Sequence, residues 1–227
     1  ATATPRGEPR ECLANTPCPD YMRKAEARLS EQAPRVEQYL AAATEPKLKQ
    51  IAEHELVTVH SQTLVDMENS GCVAMLRDER IDDLRRMYDL FTRVPHTLEC
   101  LREAVCEHVK RTGRELVSDQ ERIKDPVEFV KGLLQMRDKY DRVVSDAFRA
   151  EKKAQKKLKE AFEDFINADS RCASYLVLYI HELLQSSLKA YSEEDADREL
   201  DKVIVIFRYL QDKDIFENFY KQHLAKR

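Results

Sequence analysis

From Met22 to Tyr220, apolar side chains return every third or fourth residue, and no segment sustains the alternation of apolar and polar residues that a half-buried strand requires. A spacing of three and four puts one apolar stripe along a helix, whereas a strand needs a period of two. Glycine tightens the constraint, because the 227 residues contain four. Tight hairpins and phosphate-cradling loops use positive-φ positions that glycine supplies most readily. An all-β fold and a nucleotide loop are both disfavoured on that ground. The abundance of Lys, Glu, Leu, Arg and Ala favours helix in turn. The class is therefore all-α, with about nine or ten helices joined by short connections. Such helices stack either as a bundle or as a helical-repeat rod, and periodicity does not choose between the two.

Punctuation divides the chain. Residues 1–18 carry Pro5, Gly7, Pro9 and Pro17 with few apolar anchors and read as a flexible leader. A helix starts near Pro19 with Met22, Ala25, Leu29, Val36 and Leu40 on its stripe, and Pro34 should kink it. Thr44-Glu45-Pro46 is a stop and restart, followed by Leu48, Ile51, Leu56 and Val59. Asn69-Ser70-Gly71 suggests a break, and Pro95 ends a short helix bearing Ile81, Leu84, Met87, Tyr88 and Phe91. Leu98, Leu101, Val105, Val109 and Leu116 line a longer helix whose last turn Gly113 should weaken. Asp125 can then cap a helix with Pro126 in its first turn. Along it Phe129, Leu133, Met136, Tyr140, Val143 and Ala147 alternate steps of four and three, a pattern suited to lengthwise packing.

The next stripe is Leu158, Ala161, Phe162, Phe165 and Ile166, closed by a polar break at Asn167–Arg171. Tyr175–Leu188 is apolar on more than one face, which places it centrally in the core. Tyr191–Asp195 reads as a cap for a helix lined by Leu200, Val203, Ile204, Phe207 and Leu210. A last helix, Asp214–Lys226, carries Ile215, Phe216, Phe219 and Tyr220.

Charge and composition exclude several functions. The net charge is −4 with both signs interspersed, which gives no electrostatic reason to invoke nucleic acid or a membrane surface. No apolar run approaches the roughly 20 residues that span a bilayer, and residues 1–20 lack a signal-peptide core. The reading is cytoplasmic or nuclear. In such a reducing compartment Cys12, Cys18, Cys72, Cys100, Cys106 and Cys172 are free thiols.

The candidate chemistry thins out on inspection. His54-Glu55 and His60 lie six residues apart, on opposite helix faces, where a zincin needs both histidines one turn apart on one face. Cys100, Cys106 and His108 match no zinc spacing, and the two cysteines read as core thiols. The basic run Glu151–Glu160 is bracketed by acids and holds no interleaved aromatics, so a solvated helix face explains it better than a phosphate contact. No nucleophile elbow is present. The expectation is no catalytic residue, no cofactor and no metal.

The residues do resemble a known family. Val203–Arg227 joins an apolar helix, the turn Asp212-Lys213-Asp214 and a helix ending in Leu224-Ala225-Lys226-Arg227, as a signature segment of the cullins does. Asp20–Leu29 is similar to the start of a long cullin helix. Met67–Gly71 and Asp83–Val94 are similar to the cullin subgroup that uses BTB-domain adaptors, and Asp125-Pro126-Val127, Leu133-Leu134 and Tyr140-Asp141 also fit. The resemblance covers most of residues 19–227 in order.

It implies the third repeat of a rod of five-helix cullin repeats, followed by the first helices of the bundle that opens the C-terminal region. Residues 19–170 would then be the repeat-like domain and 171–227 the bundle helices, with the boundary near Arg171–Tyr191. In the family the far end of the rod binds a substrate adaptor, and the globular region binds a RING protein. Those regions would lie outside this sequence, so no binding or modification residue is carried over. The implied function is a non-catalytic scaffold of a cullin-RING ubiquitin ligase, a rigid spacer between BTB-type adaptor and RING protein. A tethering-complex subunit or a truncated non-ligase cullin relative is the alternative. On the spacer reading the residues that matter are core positions, with Tyr140, Phe162, Phe207 and Phe216 foremost. Apolar residues left open on the last helix should favour self-association there.

Overall fold

The computed structural model describes residues 16–39, 45–187 and 193–224. Among them every regular element is helical and no strand occurs. In chain order the α-helices are α1 (Cys18–Tyr39), α2 (Glu45–Leu56), α3 (Ser61–Asp66), α4 (Cys72–Arg77), α5 (Ile81–Thr92), α6 (Leu98–Ser118), α7 (Gln120–Ile123), α8 (Pro126–Arg142), α9 (Lys152–Ala168), α10 (Arg171–Ser187), α11 (Glu193–Tyr209) and α12 (Lys213–Leu224). Two 3₁₀ turns, Thr58–His60 and Pro95–Thr97, and a π-helical turn, Val143–Ala147, complete the set. The elements form two compact units. The first joins residues 1–105 to 143–154, and the second joins 106–142 to 155–227. They interleave along the chain.

The punctuation has physical causes. Gly71 sits where the chain turns from α3 into α4, its N–H bonded to Met67 O at 2.8 Å. A Cβ there would lie 2.5 Å from Val65 O and 2.6 Å from Met67 O, so only glycine fits the turn. α2 begins at Glu45 with Pro46 in its first turn, whereas the preceding stop at residues 40–44 lies outside the described residues. α1 continues through Pro34, where a kink was expected, as one element. Most of the expected leader, residues 1–15, lies outside the described residues. Its last residue, Cys18, is fully buried and opens α1, with its N–H bonded to Ser70 Oγ at 3.0 Å.

In the first unit α1 packs on α2 and α5, and α5 packs on α4 and the π turn. Met22 and Ala25 of α1 and Leu84, Met87 and Phe91 of α5 are buried. Tyr88 stacks on Phe148 with ring centroids 5.4 Å apart. In the second unit α10 is the hub, contacting α8, α11 and α12. Leu176, Val177, Tyr179 and Leu183 of α10 are buried, as its apolar character on several faces implied.

α11 departs from the sequence expectation. Val203, Ile206, Tyr209 and Leu210 are buried, while Ile204 is 45% exposed and Leu200 and Phe207 are half-buried. The run Val203-Ile204-Val205-Ile206-Phe207 is apolar all round, so periodicity alone could not choose the inward face. Tyr209 helps set it: its ring stacks on Phe162 at 5.5 Å and its hydroxyl accepts a bond from Arg137 Nε at 2.7 Å. The expected cap at Tyr191–Asp195 falls partly on residues 188–192, outside the described residues. α12 ends at Leu224, and the expected continuation to Lys226 lies outside them too.

Candidate functional site

α8 shows how the sequence builds the core. The Asp125 carboxylate accepts the N–H of Val127 at 2.9 Å and of Glu128 at 3.3 Å, satisfying donors that a helix start leaves open. With the helix phased there, Phe129, Leu133, Met136 and Tyr140 are buried in α8, and Val143 and Ala147 are buried in the π turn that follows. Of the four core positions singled out above, Tyr140 is buried and meets His108 edge-to-face at 5.9 Å. Phe162 is 0% exposed, between Phe165 at 5.1 Å and Tyr209. Phe207 and Phe216 are only half-buried. Their rings meet at 4.7 Å across the turn between α11 and α12, with Lys213 Nζ 5.8 Å from the Phe207 centroid. They form a smaller aromatic contact at the edge of the core.

Gly113 has a positive role that its helix-weakening character hid. A Cβ on it would fall 2.2 Å from Cδ1 of Phe165, so α6 approaches α9 over a bare backbone. α6 continues to Ser118 regardless.

The polar groups cap and tie helices. Asn167, read from sequence as part of a break, sits in the last turn of α9 and spans to the α11–α12 corner. Its amide nitrogen donates to Glu163 O at 2.7 Å and to Tyr209 O at 2.9 Å, and its oxygen accepts the N–H of Gln211 at 2.8 Å. Arg171 Nη2 donates to Val117 O at 3.2 Å near the end of α6, and its guanidinium holds the Asp169 carboxyl below the usual carboxylate range through bonds of 2.6 and 2.9 Å. Tyr175 OH donates to Ile123 O at 2.8 Å. Burial, with Arg111 and Lys139 nearby, pushes the His108 pKa down to about 4, so that imidazole is neutral. In the first unit Arg102, itself buried, pairs with Glu99 at 2.7 Å and Glu151 at 3.0 Å.

Chemistry-bearing residues are dispersed. His54 is exposed and His60 buried against Tyr21. Cys100 is half-buried with its thiol on Thr97 O at 2.8 Å, while Cys106 and His108 are buried. The described cysteines are free, and burial pushes the Cys18 and Cys172 thiols up to about 12. Among the described residues no group of three or more His, Cys, Asp or Glu could hold a metal ion, and no helix is long and apolar enough to cross a membrane. In the basic run Lys152, Lys153, Lys156 and Lys159 are exposed, and the last two pair with Glu160 at 3.7 Å and Glu163 at 3.5 Å. That is an ion-paired solvent face, of small energetic weight.

The fold defines an all-helical chain in which, among the described residues, polar side chains tie one helix to the next. Comparison with known proteins gives the family. A family model described as the cullin alpha solenoid domain matches residues 6–227. Cullin-3 of Dictyostelium discoideum is 45% identical over 210 residues, which is 92% of this chain and 27% of that protein. Cullin-3A of Arabidopsis thaliana is 45% identical over 220 residues, 97% of this chain and 30% of that protein. Cullin-2 of Arabidopsis thaliana is 33% identical over 228 residues, 92% of this chain and 31% of that protein. The chain belongs to the cullin family. It spans less than a third of the length of these curated relatives.

Proposed function

We propose that this chain is a non-catalytic scaffold segment of a cullin-RING ubiquitin ligase, a spacer that keeps a substrate adaptor and a RING protein at a set separation. The observation that carries the reading is likeness to cullins over nearly the whole chain, joined to a structure whose buried residues run from helix to helix. The 45% identity to Cullin-3 of Dictyostelium discoideum and Cullin-3A of Arabidopsis thaliana, against 33% to Cullin-2 of Arabidopsis thaliana, favours the subgroup with BTB-type adaptors. Both partners would bind regions of a longer chain, in the cytoplasm or nucleus. Within that chain, residues 19–170 are the repeat-like portion and 171–227 the helices that open the C-terminal bundle. The role fits the physics of positioning, because holding two reactants in a fixed relation replaces a search through solution.

The test is to tag the endogenous gene, purify the full-length protein from its own cells and identify what copurifies by mass spectrometry. A chain about three times this long with a RING protein and BTB-domain proteins is the expected result. A native chain of this length without a RING partner would overturn the ligase reading and favour a truncated relative or another kind of scaffold.

A further inference from the structure

We infer that Asn167 is a positioning residue of the scaffold: its amide clamps the corner between α11 and α12 and fixes the direction in which α12 runs from that corner. The inference rests on the spacer reading above, since direction matters only where something is held at the end of it.

Helix ends expose carbonyls that have no partner within the helix. At the end of α11 these groups find partners on a different helix. Asn167 on α9 donates to Tyr209 O at 2.9 Å and accepts from Gln211 N–H at 2.8 Å, so one side chain grips both sides of Leu210. A third bond, to Glu163 O at 2.7 Å, holds the amide in orientation from its own helix. An amide can do this because it carries a donor and an acceptor on one planar group. Arg137 of α8 fixes the same residue by its other end, with Nε bonded to the Tyr209 hydroxyl at 2.7 Å. The corner is thus anchored to α9 through backbone and to α8 through a side chain.

α12 also packs on α10, but its described side chains are placed shallowly. None of its described side chains is buried: Phe216 and Tyr220 are half-buried, while Ile215 and Phe219 are 40% and 37% exposed. It touches α10, and its ring contact with Phe207 lies at the same turn. With α10 supporting one side of α12, the way its first residues are fixed sets the rest of its direction.

The experiment uses the full-length protein, with spin labels on ketone-bearing unnatural side chains at the exposed positions Glu160 of α9 and Asn218 of α12. The distance distribution between them is measured for the wild type, for Asn167→Ala and for Phe129→Leu. Phe129 is buried in α8 against Tyr175, so its variant lowers stability without touching the corner. The expected result is a shifted and broadened distribution for Asn167→Ala and an unchanged one for Phe129→Leu. An unchanged distribution in Asn167→Ala, or equal broadening in both, overturns the inference. The same variants are then assayed for substrate ubiquitylation with RING protein and adaptor bound. Slower ubiquitylation by Asn167→Ala, with both partners still bound, is expected, and an unaffected rate despite a moved α12 overturns the functional claim. Failure of the wild type to bind a RING protein would sink the ligase reading, yet leave the distance result to judge the corner by itself.

Discussion

Replacing Gly113 by alanine separates a packing glycine from a helix-weakening one. On an exposed helix the change should stabilise by about 1 kcal/mol, because alanine is the better helix former. Here the added methyl would sit 2.2 Å from Cδ1, 2.3 Å from Cε1 and 2.6 Å from Cγ of Phe165. Such distances are far inside van der Waals contact, so something must move. The ring has little freedom to do so: Phe165 is 0% exposed and lies 5.1 Å from Phe162, which is also fully buried. Overpacking of this kind costs about 1–3 kcal/mol, or more when a ring and a helix must both shift. With both rings fully buried the cost falls at the top of that range, and less the propensity gain it leaves a net destabilisation of about 2 kcal/mol. For a chain of this size that lowers Tm by about 4–8 °C. Thermal unfolding followed by far-ultraviolet circular dichroism reads the shift directly. The companion is Phe165→Leu, which shortens the obstructing group. In the double variant the penalty of Gly113→Ala should shrink, since the two residues are in contact and their effects should not add. A Tm that is unchanged or raised in Gly113→Ala, or strict additivity in the cycle, would refute the close-approach argument.

Phe162→Ala should cost about 3–5 kcal/mol, whereas Phe207→Ala, at a half-buried ring, should cost about half as much, and urea unfolding midpoints will rank them. Ala150 is exposed with a left-handed backbone, φ 53°, so Ala150→Gly should stabilise by about 0.5–1 kcal/mol in the same assay, and any loss of stability counts against strain there. His108 has a folded pKa depressed from 6.5 to about 4, so the unfolded chain takes up its proton first as pH falls. Its contribution is present above pH 6.5 and drains away between there and about pH 4, and His108→Phe should flatten that part of the stability–pH curve.

Much of the fold was legible because each helix advertises itself locally. The Asp125-Pro126 start, the four-and-three stripe through Tyr140 and the break before Cys72 all rest on neighbours within a turn or two. What escaped depends on residues far apart in sequence. Asn167 looks like the start of a polar break, and nothing nearby reveals that its partners are Tyr209 and Gln211. Gly113 reads as a weakness until Phe165 is seen lying over it. The inward face of α11 is undetermined where five successive apolar residues cover every side, and Tyr209 helps decide it through Phe162 and Arg137. Phe207 and Phe216 looked like core because aromatic residues at helical spacing usually are, but α12 lacks a described second layer that would cover them.

The interleaving of the two units bears on how the chain is made. A ribosome releases residues in order, so the first unit's early helices emerge well before 143–154, which carry Val143, Val144 and Phe148 to α5. Until then Tyr88 has no Phe148 to stack on, and the intervening 106–142 must wait for 155–227. Neither unit can therefore finish before the other has begun, and a nascent chain holds two open cores at once. Such intermediates expose apolar surface and attract chaperones or aggregate. A stalled or prematurely ended chain within 106–142 would lack the closing piece of the first unit and most of the second, and it should be degraded rather than yield a usable half.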